Sequence, residues 1–390
     1  MTSQPPTGDQ RVPDRMIVLV AFGTRPEIIK LGPVCSALQR DGAEVDVFWS
    51  GQHIELAEGL IDFFGINVTH EGGQIVDETG LAAKFGTMCK RIEHLLRAKH
   101  YDWIVVQGDT ATAAAAATAA FLNRVPIAHV EAGLRTGDLQ SPWPEEFYRR
   151  LISQAATLHF PPTRLSRDNL LREGISASNM LMVGNTVIDA LIYARAQMSA
   201  GYVPIDPEIA ALPADKKIVL ATLHRRENIG KPLRDILKAL RTLSKDGDKV
   251  IVLPMHLNPE VRGEVQRYLE DAPNVRLLDH LQYADFIYLL GKAWTVVTDS
   301  GGVQEEAPTF GLQLLIARKS TERPEVIDSG FGTLVGSDYR AIVDGVRRLT
   351  AGDRPQLLTT PNPFGAGDAA ERIAARLTRE SATARPILAA

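Results

Sequence analysis

The amino-acid sequence predicts an α/β chain with two doubly wound parallel sheets, one in each half, facing each other across a cleft. Three observations carry that expectation. Short apolar runs alternate with longer helical patterns, the signature of βαβ units. The rhythm pauses after Val187 and restarts at Ile218. At 390 residues the chain is longer than one ordinary hydrophobic core, so two Rossmann-like domains are the simplest arrangement.

In the first half, strands are expected at Ile17–Ala21, Glu44–Trp49, Trp103–Gln107 and Pro126–Val130. Helices fit between them at Pro26–Arg40, Leu56–Phe64, Leu81–Ala98 and Thr112–Leu122. The alanine-rich run TATAAAAATAA is a strong helix former, and its small side chains suit close packing on a sheet. The stretch Ser199–Lys216 contains Pro204, Pro207 and Pro213 and reads as a connection. Strands then follow at Ile218–Ala221, Lys249–Leu253, Val275–Leu278, Thr295–Thr298, Leu312–Ile316 and Gly332–Val335. Helices are expected at Pro232–Leu243, Pro259–Tyr268 and Val303–Pro308. Residues 1–15 are polar, without the apolar centre of a secretory signal, and read as a disordered tail.

The composition narrows the function. A net charge of −4 with no basic run argues against a nucleic-acid partner. Cys35 and Cys89 are the only cysteines, too few for a disulfide framework or a cysteine zinc site, and a reducing cytoplasm follows as the expected location. No run reaches the roughly 18 apolar residues of a membrane span. No metal site is expected.

In doubly wound sheets ligands sit outside the carboxyl ends of the strands, so those loops are the candidates. Strand one runs into FGTRPEIIKLGPV, where Arg25 and Lys30 stand near a helix start that already favours anions. The P-loop pattern GxxxxGK[ST] is absent, as is GxGxxG at the first strand, so neither a P-loop nucleotidase nor a nicotinamide enzyme is expected and no cofactor is called for. The third strand ends in VVQGDTAT, where Asp109 or Thr110 could be a helix cap or a reactive group. The stretch HVEAGLRTGDLQSPWPEEFYRR, residues 129–150, reads as one loop carrying Glu131, Glu145 and Glu146 among arginines and stiffened by Pro142 and Pro144. It is either a solvated surface loop or an active-site loop holding carboxylates in place.

In the second half, ATLHRRENIGKP crowds His224, Arg225, Arg226 and Glu227 at a strand end, and PMHLNPEV adds His256 and Asn258. In TDSGGVQEEAPTFGLQLLIARKSTERPE, Ser300, Gly301 and Gly302 follow a strand and open a helix, letting backbone N–H groups approach a phosphate closely. Glu305 and Glu306 near that helix start suit ribose hydroxyls better than phosphate, or simply favour the helix dipole. Arg323 comes from the neighbouring strand end.

Taken together, GTRPEIIK, QGDT, HVEAGLRTGD with SPWPEE, GNTVIDAL, HRREN, HLNP, TDSGGVQEEAP, TERPE and NPFGAGD resemble the non-hydrolysing UDP-N-acetylglucosamine 2-epimerases, from about Met16 to Leu377. That family is similar in fold to GT-B glycosyltransferases. The resemblance implies an N-terminal domain over residues 16–187 bearing the catalytic loops and a UDP-binding domain over residues 188–366. It also implies a C-terminal helix from Gly367 onward that crosses back to the first domain, and a homodimer. It assigns Asp109, Glu131 and Glu145 as catalytic carboxylates and places His224, Arg25, Lys30 and Arg323 near the diphosphate. Ser300, Gly301 and Gly302 would hold the diphosphate, Glu306 the ribose, and Phe286 would flank the uracil. The implied partner is a UDP-sugar substrate.

Two departures from the family pattern stand out. Tyr148 replaces an asparagine that follows the PEE motif. Ile54, in Gln52-His53-Ile54-Glu55-Leu56, replaces an arginine of a segment with which many bacterial relatives bind a second, activating substrate, so weak activation is expected. The alternatives are an epimerase for a modified UDP-N-acetylhexosamine, a hydrolysing relative, a GT-B glycosyltransferase and a catalytically silent UDP-sugar binder.

Overall fold

The computed structural model describes residues 15–51, 54–73, 79–198, 201–256, 258–279, 281–353 and 355–388. The tail expected over residues 1–15 lies outside this set but for Arg15, as do Gln52, His53 and the side chains of 54–58 in the activation segment.

Two six-stranded, all-parallel sheets form the frame. The first holds β1 (Ile17–Phe22), β2 (Glu44–Trp49), β3 (His70–Glu71), β4 (Trp103–Gln107), β5 (Ile127–Val130) and β6 (Leu158–Phe160), in the order β3-β2-β1-β4-β5-β6. The second holds β7 (Lys217–Thr222), β8 (Lys249–Pro254), β9 (Val275–Leu278), β10 (Thr295–Thr298), β11 (Leu314–Ile316) and β12 (Gly332–Leu334), in the order β12-β11-β10-β7-β8-β9. Each order reverses at one point, β1/β4 in the first sheet and β7/β10 in the second. Helices flank both sheets: α1 (Arg25–Arg40), α2 (Ile54–Phe63), α3 (Leu81–Ala98), α4 (Ala111–Leu122), α5 (Glu145–Ala155), α6 (Arg164–Arg172) and α7 (Thr186–Gln197) in the first half. Further on come α8 (Pro207–Ala210), α9 (Lys231–Leu243), α10 (Pro259–Leu269), α11 (Tyr283–Lys292), α12 (Gly301–Glu306), α13 (Pro324–Asp328), α14 (Tyr339–Leu349) and α15 (Ala369–Leu388).

The central strands are buried on both faces, which is why they read as unbroken apolar runs. All the alanines of α4 after Ala111 lie buried in one cluster with Ile104, Val106 and Phe48, a close approach only small side chains permit. Three short or charged elements differ from expectation. β3 and β6 span two and three residues, too few to show a period. The stretch 129–150 is not one loop, because α5 begins at Glu145. The buried face of α5 carries Glu146, Arg149 and Ser153 beside Tyr148 and Ile152, and an apolar periodicity is hard to see in a face that is more than half polar. The helix expected at Val303–Pro308 starts two residues earlier as α12 and passes into a 3-10 turn at Ala307–Phe310.

The chain crosses between the halves at two adjacent places. Asn185 N donates to Phe364 O at 2.6 Å. Gly184 (φ 94°) and Gly365 (φ 135°) both lie in the left-handed region, and a Cβ on Gly184 would stand 3.0 Å from Phe364 O. α7 packs against α1 and also against α11 and α12 of the second half. α15 returns to the first half and packs on α1 and α7. Its Ala370, Ile373 and Leu377 enter the first core, and Trp103 Nε1 donates to Ser381 Oγ at 2.8 Å. Among the described residues no helix is long and apolar enough to cross a membrane.

Candidate active site

The carboxyl ends of both sheets meet at a cavity of about 410 Å³. The loops after β1, β4, β7 and β10 all open onto it, and these strands are the ones at the two reversal points, where doubly wound folds place ligands. All the site residues that the resemblance assigns line it except Arg25 and Phe286. A larger cavity, about 890 Å³, lies around Phe310 and residues 357–368, away from the carboxylates.

The β1 and β4 loops are tied together by Glu27, a fully buried residue of the first turn of α1. It accepts from Gly23 N at 3.0 Å, Thr24 N at 2.8 Å and Thr110 Oγ1 at 2.6 Å. Thr110, rather than Asp109, is the cap of α4, accepting from Ala113 N. Burial pushes the Glu27 carboxyl up to about 7 against the pull of those hydrogen bonds, Thr110 foremost. Asp109 is thereby left pointing to the cavity, where Arg149 Nε of α5 donates to it at 2.7 Å. The same guanidinium donates to Glu146 Oε2 at 3.1 Å, and Glu146 accepts from Thr136 N, pinning the loop that precedes α5. Glu145, one residue earlier, lines the cavity with a buried Oε2 that has no hydrogen-bond partner.

Glu131 follows β5 with φ at 61°, the left-handed region that costs a side-chain-bearing residue strain. Its carboxylate accepts from Lys30 Nζ, from Gln107 Nε2 and, at 2.9 Å, from Asn185 Nδ2. Burial would raise its pKa, but the Lys30 charge and hydrogen bond, the Arg323 charge and the Asn185 amide outweigh burial and hold it below the usual range. Lys30 shows the mirror image: burial lowers it, and Glu131 and Glu305 carry it above its ordinary value.

Across the cavity, Asp299 is fully buried at the end of β10 and organises the β7 loop. It accepts from His224 N at 3.0 Å, Arg225 N at 3.1 Å and Asn228 Nδ2 at 2.9 Å. The His224 ring lies with Nδ1 3.5 Å from Asp299 and stacks on His256 at 5.6 Å between centroids. Burial lowers its pKa despite Asp299. Asn258 is a helix cap, accepting from Glu260 N. The two glycines of α12 do different things. A Cβ on Gly301 would stand 2.5 Å from Arg323 Nη1, so its absence makes room for the guanidinium, whereas Gly302 faces open space.

Glu305 and Glu306 also divide. Glu305, weighed from the sequence as a ribose ligand, instead accepts from Arg323 Nε at 2.6 Å and lies 3.5 Å from Lys30 Nζ, and it does not line the cavity. Glu306 lines the cavity, and burial, then the charge of Glu305, push it up to about 8 against Lys30 and Arg25. Arg25 thus reaches the site as a charge facing Glu306. Phe286 on α11 is half-buried and packs against both apolar clusters. Tyr148 faces away from the cavity into the α3–α5 cluster, stacked on Phe85 at 6.1 Å between centroids. Gln107, Arg149, Asn185 and Asp299 are site residues that sequence reading missed. Each is one polar residue in an apolar or charged run, with nothing local to mark its partner.

The family profile described as UDP-N-acetylglucosamine 2-epimerase matches residues 36–378. The UDP-N-acetylglucosamine 2-epimerase of Escherichia coli (strain K12) is 41% identical over 372 residues, covering 92% of this chain and 97% of that one. Among solved structures, the UDP-GlcNAc 2-epimerase of Neisseria meningitidis bound to UDP-GlcNAc superposes with a TM-score of 0.87 at 36% identity, over 93% of this chain and 100% of that one. That of Methanocaldococcus jannaschii in complex with UDP-GlcNAc and UDP gives a TM-score of 0.78 at 30% identity, over 93% and 100%.

Proposed function

Because the chain belongs to the UDP-N-acetylglucosamine 2-epimerase family, we propose that it interconverts UDP-GlcNAc and UDP-ManNAc, inverting C2 of the sugar without net oxidation. The observation that carries this reading is the opposition of charges within one cavity. Three carboxylates (Asp109, Glu131, Glu145) stand on the first-sheet side, and His224, Arg323 and the Ser300–Gly302 turn stand opposite, with Lys30 between them.

The hydrogen on C2 is not acidic, because the adjacent carbon is no carbonyl. Elimination avoids the difficulty. A base takes the C2 proton while the C1–O bond breaks, UDP departs and 2-acetamidoglucal remains. UDP then re-adds to C1 after protonation of C2 from the opposite face. This route needs proton carriers on two faces and fixed positive charge for the leaving diphosphate. Glu145 brings a buried, unpartnered oxygen and is the group freest to exchange a proton, and Asp109 is its counterpart. Glu131, saturated by three donors, serves as a fixed charge that orients Lys30. Lys30, Arg323, Arg25, His224 and the amides of Gly301 and Gly302 take the diphosphate, Glu306 the ribose, and Phe286 flanks the base.

The working unit in this reading is a cytoplasmic homodimer of two such domain pairs, with light scattering at assay concentration as its check. The chemistry is tested by incubating the protein with UDP-GlcNAc in D2O and following the sugar H1 and H2 signals by NMR. Loss of H2 with growth of UDP-ManNAc resonances is the expected result. Unchanged UDP-GlcNAc sinks the reading for this substrate, and free N-acetylmannosamine would mark a hydrolase.

A further inference from the structure

Asn185 is 2% exposed and does not line the cleft cavity, yet every polar group it has is used. Its Oδ1 accepts from Val187 N at 3.0 Å as the cap of α7. Its backbone N–H donates to Phe364 O at 2.6 Å, where the chain crosses between the halves. Its Nδ2 donates to Glu131 Oε1 at 2.9 Å. Of the three donors on Glu131, Lys30 and Gln107 belong to the first sheet's own helix and strand. Asn185 alone joins Glu131 to the crossing, and the two glycines beside it, each in the left-handed region, fix that crossing by letting the backbones touch.

We propose that Asn185 is a positioning residue for the reaction: its amide sets the orientation and the charge of Glu131 and couples them to the point where the two halves meet. The inference rests on the reading that Glu131 acts at the sugar-diphosphate. Charged and titratable groups facing Glu131 are Lys30 from α1, Arg323 from the turn before α13 and His129 on β5, with Glu305 of α12 behind Lys30. The two cations favour the ionised carboxylate. A strained residue supported from three directions loses definition when one support goes, because a hydrogen bond to a charged group is among the stronger ones and is shared with no replacement donor.

The competing view is that Asn185 only caps α7. Asn185→Asp separates the two. It keeps the acceptor that Val187 N needs, since aspartate caps as well as asparagine. It removes the donor and places a second carboxylate beside Glu131 Oε1. The expected result is a folded protein whose kcat at neutral pH falls about ten- to hundredfold. The acid limb of its kcat/KM profile should move up by about one pH unit or more, because a like charge disfavours ionisation of Glu131. A folded Asn185→Asp with an unmoved acid limb overturns the proposal however far kcat drops. Should that variant fail to fold, Asn185→Ser keeps the cap and loses the donor without adding charge; about a tenfold lower kcat is expected of it, and wild-type kcat overturns the proposal. Glu131→Gln in the same assay separates this inference from the one beneath it. Full activity there brings down both readings, whereas an inactive Glu131→Gln beside wild-type Asn185 variants removes the positioning role alone.

Discussion

Replacing Glu305 by glutamine should weaken the empty protein and tighten its grip on UDP. The side chain is 2% exposed, 2.6 Å from Arg323 Nε and 3.5 Å from Lys30 Nζ, so it neutralises two cations from opposite sides of the cleft. Two unit charges about 4 Å apart at an effective dielectric near 20 attract by about 4 kcal/mol, and removing one member of a buried pair costs about 3–5 kcal/mol. Glu306 offsets part of this, because burial first and the charge of Glu305 second hold its carboxyl up at about 8. A net loss of about 2–4 kcal/mol follows, and at about 1.2 °C per kcal/mol for a chain of this length the melting temperature should drop by about 2–5 °C. UDP reverses the balance. Its diphosphate supplies the missing negative charge to Lys30 and Arg323, for which Glu305 no longer competes, so affinity should rise about tenfold, worth about 1.4 kcal/mol at saturation. Thermal melts of wild type and Glu305→Gln across a UDP titration read both effects. If the variant melts with the wild type and gains no more from UDP, Glu305 is not the internal counterion described here.

Four further outcomes are expected. Glu306 binds a proton in the folded state up to about pH 8, whereas an unfolded chain releases it near 4.5. The folded state therefore holds the extra proton, and stability falls as pH rises through that window, by about 1.4 kcal/mol per unit at the steepest; Glu306→Gln should flatten the melting temperature against pH, and identical slopes would refute it. Glu145→Gln should lower kcat by about 10²–10⁴-fold and abolish deuterium uptake at C2, with UDP affinity unchanged by calorimetry. Gly301→Ala should lower both stability and UDP affinity by displacing the Arg323 guanidinium 2.5 Å away, whereas Gly302→Ala, facing open space, should leave the empty protein's melting temperature alone and weaken only UDP. With Ile54 in place of a cation, the rate against UDP-GlcNAc should be hyperbolic; a sigmoidal curve shows that activation persists.

What was legible in the sequence was what repeats or punctuates. The strands at β1, β2, β4 and β5 are long enough and dry enough to be read from composition, and the loops after them announce themselves with Gly, Pro and charge. α5 was not legible, because Glu146 and Arg149, buried for their ion pair, break up the short apolar stripe of Tyr148 and Ile152. The cavity-lining residues were visible as types, but their division of labour was not. Glu305 and Glu306 are neighbours of one kind in the sequence, and only the placement of Arg323 and Lys30 makes one a counterion and the other a cavity wall. Asn185 and Asp299 act through partners 54 and 75 residues away, a distance over which local pattern carries no signal. Tyr148 is a departure at the level of pattern, while in space it exchanges the cleft for a ring stacked on Phe85.

Because α15 closes the first core, the first half of the chain is finished by a helix made only after the whole second sheet. Ribosomal synthesis delivers β1 to β6 first, with the seats of Ala370, Ile373 and Leu377 open and Trp103 without its serine. The second sheet has one apolar cluster made wholly between β7 and α14, while its other face takes Phe364 from just beyond α14. An apolar strip of the first half therefore stays uncovered during synthesis until this 20-residue helix has left the tunnel. Lesions in α15 would then strike at the carboxylates of the first half, on the other side of the second sheet in sequence.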